Sequence, residues 1–123
     1  MQVSKKDINK KIEDKIFRNL YQVLADLRKP SDIEMFLSDT LSKTEKTVLA
    51  KRLGIAYYLN GNKSYEQTRK ELRVSSATIA NVQKWMESGG EGLRLALKTI
   101  EADEWASEMT NKISDSVKKV FKR

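Results

Sequence analysis

The chain has 123 residues, 39% hydrophobic and 33% charged, which fits one globular domain with a modest core and not a disordered segment. It contains no Cys and no His, so disulfides, zinc fingers, iron–sulfur sites and Ser–His or Cys–His hydrolases are excluded. Lys and Arg number 24 against 17 Asp and Glu, and the resulting net charge of +7 suits a binder of polyanions.

The amino terminus is polar and lysine-rich, without the apolar centre of a secretory signal. No apolar run approaches the roughly 20 residues of a membrane span. A soluble, cytoplasmic, all-α chain forming a single domain over residues 1–123 is expected. Ile8, Ile12, Ile16, Leu20, Val23, Leu24 and Leu27 recur at helical steps, with Phe17 and Tyr21 widening the stripe. Lys5, Lys6, Lys10, Lys11 and Lys15 give this first helix a basic, solvated face. Pro30 disfavours helix at Lys29 and ends the segment. Ser31 or Asp32 is placed to cap a short second helix containing Ile33, Phe36 and Leu37.

Ser42-Lys43-Thr44-Glu45 has capping-box spacing and opens a third helix to about Asn60, with Val48, Leu49, Leu53, Ile55, Ala56 and Leu59 as its apolar positions. Asn60-Gly61-Asn62 supplies a left-handed residue to close it. Ser64-Tyr65-Glu66-Gln67 is a second capping box, opening a helix to about Leu72. Ser75-Ser76 caps the next, which runs through Met86. After the break at Ser88-Gly89-Gly90-Glu91-Gly92, a last helix carries Leu93, Leu97, Ile100, Trp105, Met109, Ile113, Val117 and Phe121 as its apolar line. Lys118, Lys119, Lys122 and Arg123 form a solvated basic end. Glu101, Asp103, Glu104 and Glu108, without His, Cys or a defined loop, read as helix surface and not as a metal cluster. Trp85 and Trp105 are expected in a core or a dimer interface. The long stripes at 1–30 and 91–123 exceed what a small binding unit needs, and pairing with a second subunit is their simplest use.

Charge is unevenly placed. Residues 1–30 carry eight basic and four acidic groups and residues 63–86 five basic and two acidic, whereas 31–62 and 87–123 balance. Residues 64–86 read as helix, tight turn, helix, with Leu72, Val74, Ile79 and Val82 packing the two together. Arg73 stands where the turn usually has glycine. At 100° per residue, Ile79, Val82 and Met86 point to the core, while Ala77, Ala80, Asn81 and Lys84 lie opposite, flanked by Ser76 and Thr78. Two alanines permit close approach and contact with thymine methyls; Ser, Thr and Asn can bond base edges or phosphates, and Lys a phosphate. The helix start offers free N–H groups to a phosphate oxygen. Arg69, Lys70 and Arg73 sit where the first helix of a helix-turn-helix crosses the backbone. The plain alternative is a solvated helix pair in an all-α bundle.

The run Leu41-Ser42-Lys43-Thr44-Glu45, then Leu49-Ala50-Lys51-Arg52-Leu53 and Ile55-Ala56, then Ser64-Tyr65-Glu66, Lys70-Glu71-Leu72 and Ala77-Thr78-Ile79 resembles the Trp repressor family, and more closely its Trp repressor-like branch. Glu91-Gly92-Leu93-Arg94-Leu95-Ala96-Leu97 resembles that branch too. The resemblance implies an intertwined helical homodimer whose two reading heads enter successive major grooves of double-stranded DNA, acting as a transcriptional repressor and not as an enzyme. It matches Arg69 to a basic DNA-contacting position, and Ser75, Ser76, Ala77, Thr78 and Ala80 to positions approaching bases and phosphates. Tyr65 and Glu66 fall where the family has Gln and Arg contacts, and Glu66 would repel phosphate. The candidate DNA-binding set is therefore Ser64, Tyr65, Arg69, Lys70, Arg73, Ser75, Ser76, Ala77, Thr78, Ala80, Asn81 and Lys84.

The resemblance also implies an effector pocket at Ser42, Arg52 and Asn81. The tryptophan-responsive members sandwich the ligand indole between two arginines. Arg52 matches one and Asn81 replaces the other, so no cofactor is expected, tryptophan sensing is disfavoured, and Arg52 is assigned to a surface salt bridge. No metal or membrane partner is expected. The rival reading is a helical protein-interaction module without nucleic acid.

Overall fold

A computed structural model describes residues 7–121, and side chains to Val120. Six helices and no strand occur among them: α1 (Lys10–Asp26), α2 (Pro30–Thr40), α3 (Lys43–Asn60), α4 (Tyr65–Leu72), α5 (Ser76–Glu87) and α6 (Glu91–Phe121). The all-α expectation is met. Lys5, Lys6, Lys122, Arg123 and the side chain of Phe121 lie outside the described residues. The chain divides into two compact units, residues 1–46 and 47–123.

In the first unit, α1 begins at Asn9, whose side chain accepts from the Lys11 N–H at 2.9 Å. Every apolar residue of its stripe from Ile8 to Leu24 is exposed. Pro30 does not merely end α1: it is the first residue of α2, with Lys29 as N-cap and no side-chain cap bond. This replaces the expected Ser31 or Asp32 cap. Proline's fixed φ and missing N–H cost nothing at that position, so the boundary falls two or three residues earlier than the polar residues suggest. Leu41 ends α2, its N–H donating to the Leu37 carbonyl at 2.8 Å. The Ser42 box forms in full: the Glu45 N–H donates to Ser42 Oγ at 3.1 Å, and the Ser42 N–H donates to Glu45 Oε1 at 2.8 Å. The Ser42 N–H, and then the Ser42 hydroxyl, hold the Glu45 carboxyl below its usual range.

The second unit holds the core. Ile55, Ala56, Ile79, Val82 and Leu97 are buried, with Tyr57, Leu59, Leu72, Val74, Met86, Leu93 and Ile100 packed against them. Thus the later half of α3 supplies the floor, α4 and α5 lie on it, and the first turns of α6 close it. Val48, Leu49 and Leu53, apolar positions of α3, are exposed in the single chain. So are Trp105, Met109, Ile113 and Val117 along α6, and neither tryptophan belongs to the core, Trp85 being 46% and Trp105 65% exposed. Glu101 and Glu104 are more than helix surface. Glu101 accepts from the Asn60 side chain at 2.9 Å and Glu104 from the Tyr57 hydroxyl, which ties α6 to α3. The bond to Glu104 raises the Tyr57 phenol above its usual range.

Candidate nucleic-acid interface

The candidate reading head begins at Ser64, whose hydroxyl accepts from the Gln67 N–H at 3.1 Å. Only half of the predicted box forms, because the Gln67 amide turns forward to Glu71 at 3.4 Å. Thr68 is fully buried, its hydroxyl donating to the Ser64 carbonyl at 2.8 Å. That bond lets a polar residue sit under the head without an unpaired hydroxyl. The sequence reading passed over Thr68; its place one helical turn after Ser64 was the available signal.

The turn keeps helix-turn-helix geometry without glycine. Arg73 adopts the left-handed conformation, φ 55° and ψ 55°, and its N–H closes α4 on the Arg69 carbonyl. An L-residue pays about 1–2 kcal/mol for that conformation. The next residue, Val74, packs its side chain against the core. Ser75 then caps α5, its Oγ accepting from the Thr78 N–H at 3.1 Å while bonding the Thr78 hydroxyl at 2.8 Å.

On α5 the faces divide as the periodicity predicts. Ile79 and Val82 are fully buried and Met86 half-buried. Ser75, Ser76, Ala77, Ala80, Asn81 and Lys84 are exposed, and Thr78 is half-buried at their edge. Ser64, Tyr65, Arg69, Lys70 and Arg73 are exposed on α4 and the turn. Arg69, Lys70, Arg73, Val74, Ser75 and Ser76 line one open cleft at the start of α5, so three cations gather around a helix N-terminus. The N–H groups of that terminus and the three side chains carry the same sign of field. Lys70 is partly answered by Glu66, 3.2 Å away on the same exposed face of α4. Arg69 and Arg73 have no ion-pair partner among the described residues.

The residues of the suggested effector pocket each have a local use. Ser42 is the cap of α3. Asn81 is exposed on the outer face of α5. Arg52 makes no salt bridge among the described residues, against expectation; its guanidinium lies 5.4 Å from the ring centroid of Trp85. A weakly hydrated guanidinium gains by stacking on an indole face, and no nearby carboxylate competes for it. The indole on Arg52 is thus the chain's own. Among the described residues no cluster of three or more Asp or Glu is placed to hold a metal ion, and no helix is long and apolar enough to cross a membrane.

The model of the family described as Trp repressor protein matches residues 15–101, from within α1 to the third turn of α6 and across the whole reading head. An uncharacterised Bacillus subtilis (strain 168) protein, YerC, is 26% identical over 97 residues, covering 79% of this chain and 93% of that protein. No solved structure gives a match. With α4, the turn and α5 inside the matched span, the chain belongs to the Trp repressor family, a family of DNA-binding transcription regulators and not of enzymes.

Proposed function

We propose that the protein is a sequence-specific regulator, acting as a repressor, that inserts α5 into the major groove of double-stranded DNA. The observation that carries this reading is the outer face of α5: Ala77, Ala80, Asn81 and Lys84 stand exposed directly opposite fully buried Ile79 and Val82, so the helix is held from one side and bare on the other. In this reading Ala77 and Ala80 admit the groove wall, and Thr78 and Asn81 bond base edges. Ser75, Ser76 and the α5 N-terminus take one phosphate. Arg69, Arg73 and Lys84 take others, with Lys70 shared with Glu66, and Ser64 and Tyr65 touch the flank.

The functional unit is a homodimer paired through residues 1–30 and 91–123, working in the cytoplasm. The uncovered stripes of α1 and the distal part of α6 support that assignment. Two heads would then meet half-sites about 34–36 Å apart. No corepressor is required, since Arg52 already stacks on Trp85.

The test is selection of bound duplexes from a random pool, followed by mobility shift over a salt series. Binding should weaken steeply with salt. Asn81→Ala and Thr78→Ala should relax sequence preference, whereas Arg69→Ala should weaken binding to all sequences alike. A dimer indifferent to every duplex would replace this reading with the protein-interaction module. Micromolar binding of free tryptophan by calorimetry would restore an effector role to Arg52.

A further inference from the structure

The bases that α5 can reach depend on its angle to the rest of the unit, and its own buried face fixes that angle only by packing. Two side chains of α3 add polar holds at separate points. Lys51 Nζ donates to the carbonyl of Arg73 at 3.1 Å, in the turn before α5. No backbone N–H reaches that carbonyl among the described residues. The guanidinium of Arg52, the next residue, lies over Trp85, near the far end of α5. Trp85 lies ten positions, about 15 Å of helix, beyond the Ser75 cap, and the Arg73 hold lies two residues before that cap, so the two holds grip opposite ends of α5. A rod held at one point pivots; held at two, it does not.

We propose that Lys51 and Arg52 are positioning residues for the reading helix, a two-point brace from α3 that sets the angle of α5 without touching DNA. This rests on the reading of residues 64–87 as the DNA-reading head, and deepens it. The Lys51 hold acts on the one residue of the turn in the left-handed conformation, where the backbone is least favourable for an L-residue. The Arg52 hold acts on a half-exposed indole that the core does not fix.

Hydrogen–deuterium exchange on the free protein tests the brace independently of DNA. Lys51→Met should speed exchange in peptides covering residues 73–79, and Arg52→Met in those covering 82–88, each by about three- to ten-fold. Peptides from 55–60 and 93–100 should keep their protection. Lys51→Arg, which retains a donor, should restore the turn. Trp85→Phe should reproduce the Arg52→Met pattern if that variant folds poorly. Against a duplex chosen by selection, Lys51→Met and Arg52→Met should each weaken binding by a similar factor while leaving the slope of log K against log salt unchanged. Arg69→Ala should lower that slope by about 0.9. Unchanged exchange in α5 and the turn overturns the brace. So does a uniform loss of protection across residues 55–100, which means support of the fold alone. A reduced salt slope in either variant overturns it too, since it means direct phosphate contact. Absence of duplex binding by the wild type would remove the DNA reading, and the exchange results would still decide whether α3 holds α5.

Discussion

Helices α1 and α5 are both amphipathic, but only α5 has its apolar stripe covered. On α5 Ile79 and Val82 are fully buried, whereas on α1 Ile12 and Ile16 are each about half exposed and no residue is buried. The same contrast divides α6 against itself: Leu97 is buried near its start, while Ile113 and Val120 stand in the open beyond it. Every buried side chain among the described residues falls between residues 55 and 97. An amphipathic pattern says that a helix forms and which side is apolar. It does not say what covers that side, because helical stability comes from the surface eventually packed against it. The buried stripe belongs to the unit that presents the reading head. The bare stripes are the part of the molecule that the proposed second copy would complete.

The sharpest way to break this contrast is to damage both stripes. Ile79→Ala should cost about 2–5 kcal/mol, read as a lower urea midpoint at any protein concentration. Ile16→Asp touches no core in the single chain, so its effect should fall on assembly. Sedimentation should shift from dimer to monomer at concentrations where the wild type is paired, and the melting temperature should lose the concentration dependence that a paired wild type shows. Unaltered sedimentation and stability in Ile16→Asp would mean that the α1 stripe stays bare in solution, and the pairing surface must then be sought on α6 alone.

What was legible in the sequence follows the same line. Helix boundaries with a cap in the sequence were read to within a residue or two: Ser42 for α3, Ser64 for α4, Ser75 for α5. The faces of α5 were legible because a 12-residue helix with two core residues leaves little choice of orientation. The exposure of Val48, Leu49 and Leu53 was not legible because local periodicity carries no information on where the core stops. The fate of Arg52 was also hidden. Trp85 lies 33 positions further on, and nothing local marks a guanidinium for an indole in preference to a carboxylate. Lys51 escaped notice for a similar reason, since its acceptor is a backbone carbonyl, which leaves no trace in residue type.

A second prediction separates geometry from charge within the reading head. Arg73→Gly relieves about 1–2 kcal/mol of left-handed strain, and the freer unfolded chain offsets about 0.4–1 kcal/mol of it. Stability should therefore be unchanged or rise by up to about 1.6 kcal/mol, with the turn intact. Duplex affinity should nevertheless fall, and the salt slope should shallow by about 0.9, because one phosphate partner has gone. Urea denaturation and a salt series on the same sample give both numbers. A collapse in stability instead would show that the Arg73 side chain holds the turn, and that its exposure misleads.

The smallest effect belongs to the unit that carries no core. The chain has no His, so no side chain with an ordinary pKa titrates between pH 5 and 8. Changes at lower pH come from carboxylates. In the folded chain the Ser42 N–H holds the Glu45 carboxyl below its ordinary value near 4.5. A carboxyl lowered by folding stabilises the folded state above that ordinary value, and the stabilisation drains away as pH falls through the lower, folded value. The Ser42 amide resonance should therefore shift with pH below about 4.5, and the start of α3 should fray there first. Glu45→Gln keeps an acceptor for the Ser42 N–H but has no charge to lose. The stability difference between it and the wild type should shrink to nothing at low pH, open as pH rises through the lower, folded value, and be complete above the ordinary value near 4.5. A difference that persists unchanged at pH 3 would assign the role of Glu45 to shape and not to charge. The α3 cap would then be as indifferent to acid as the core of the second unit.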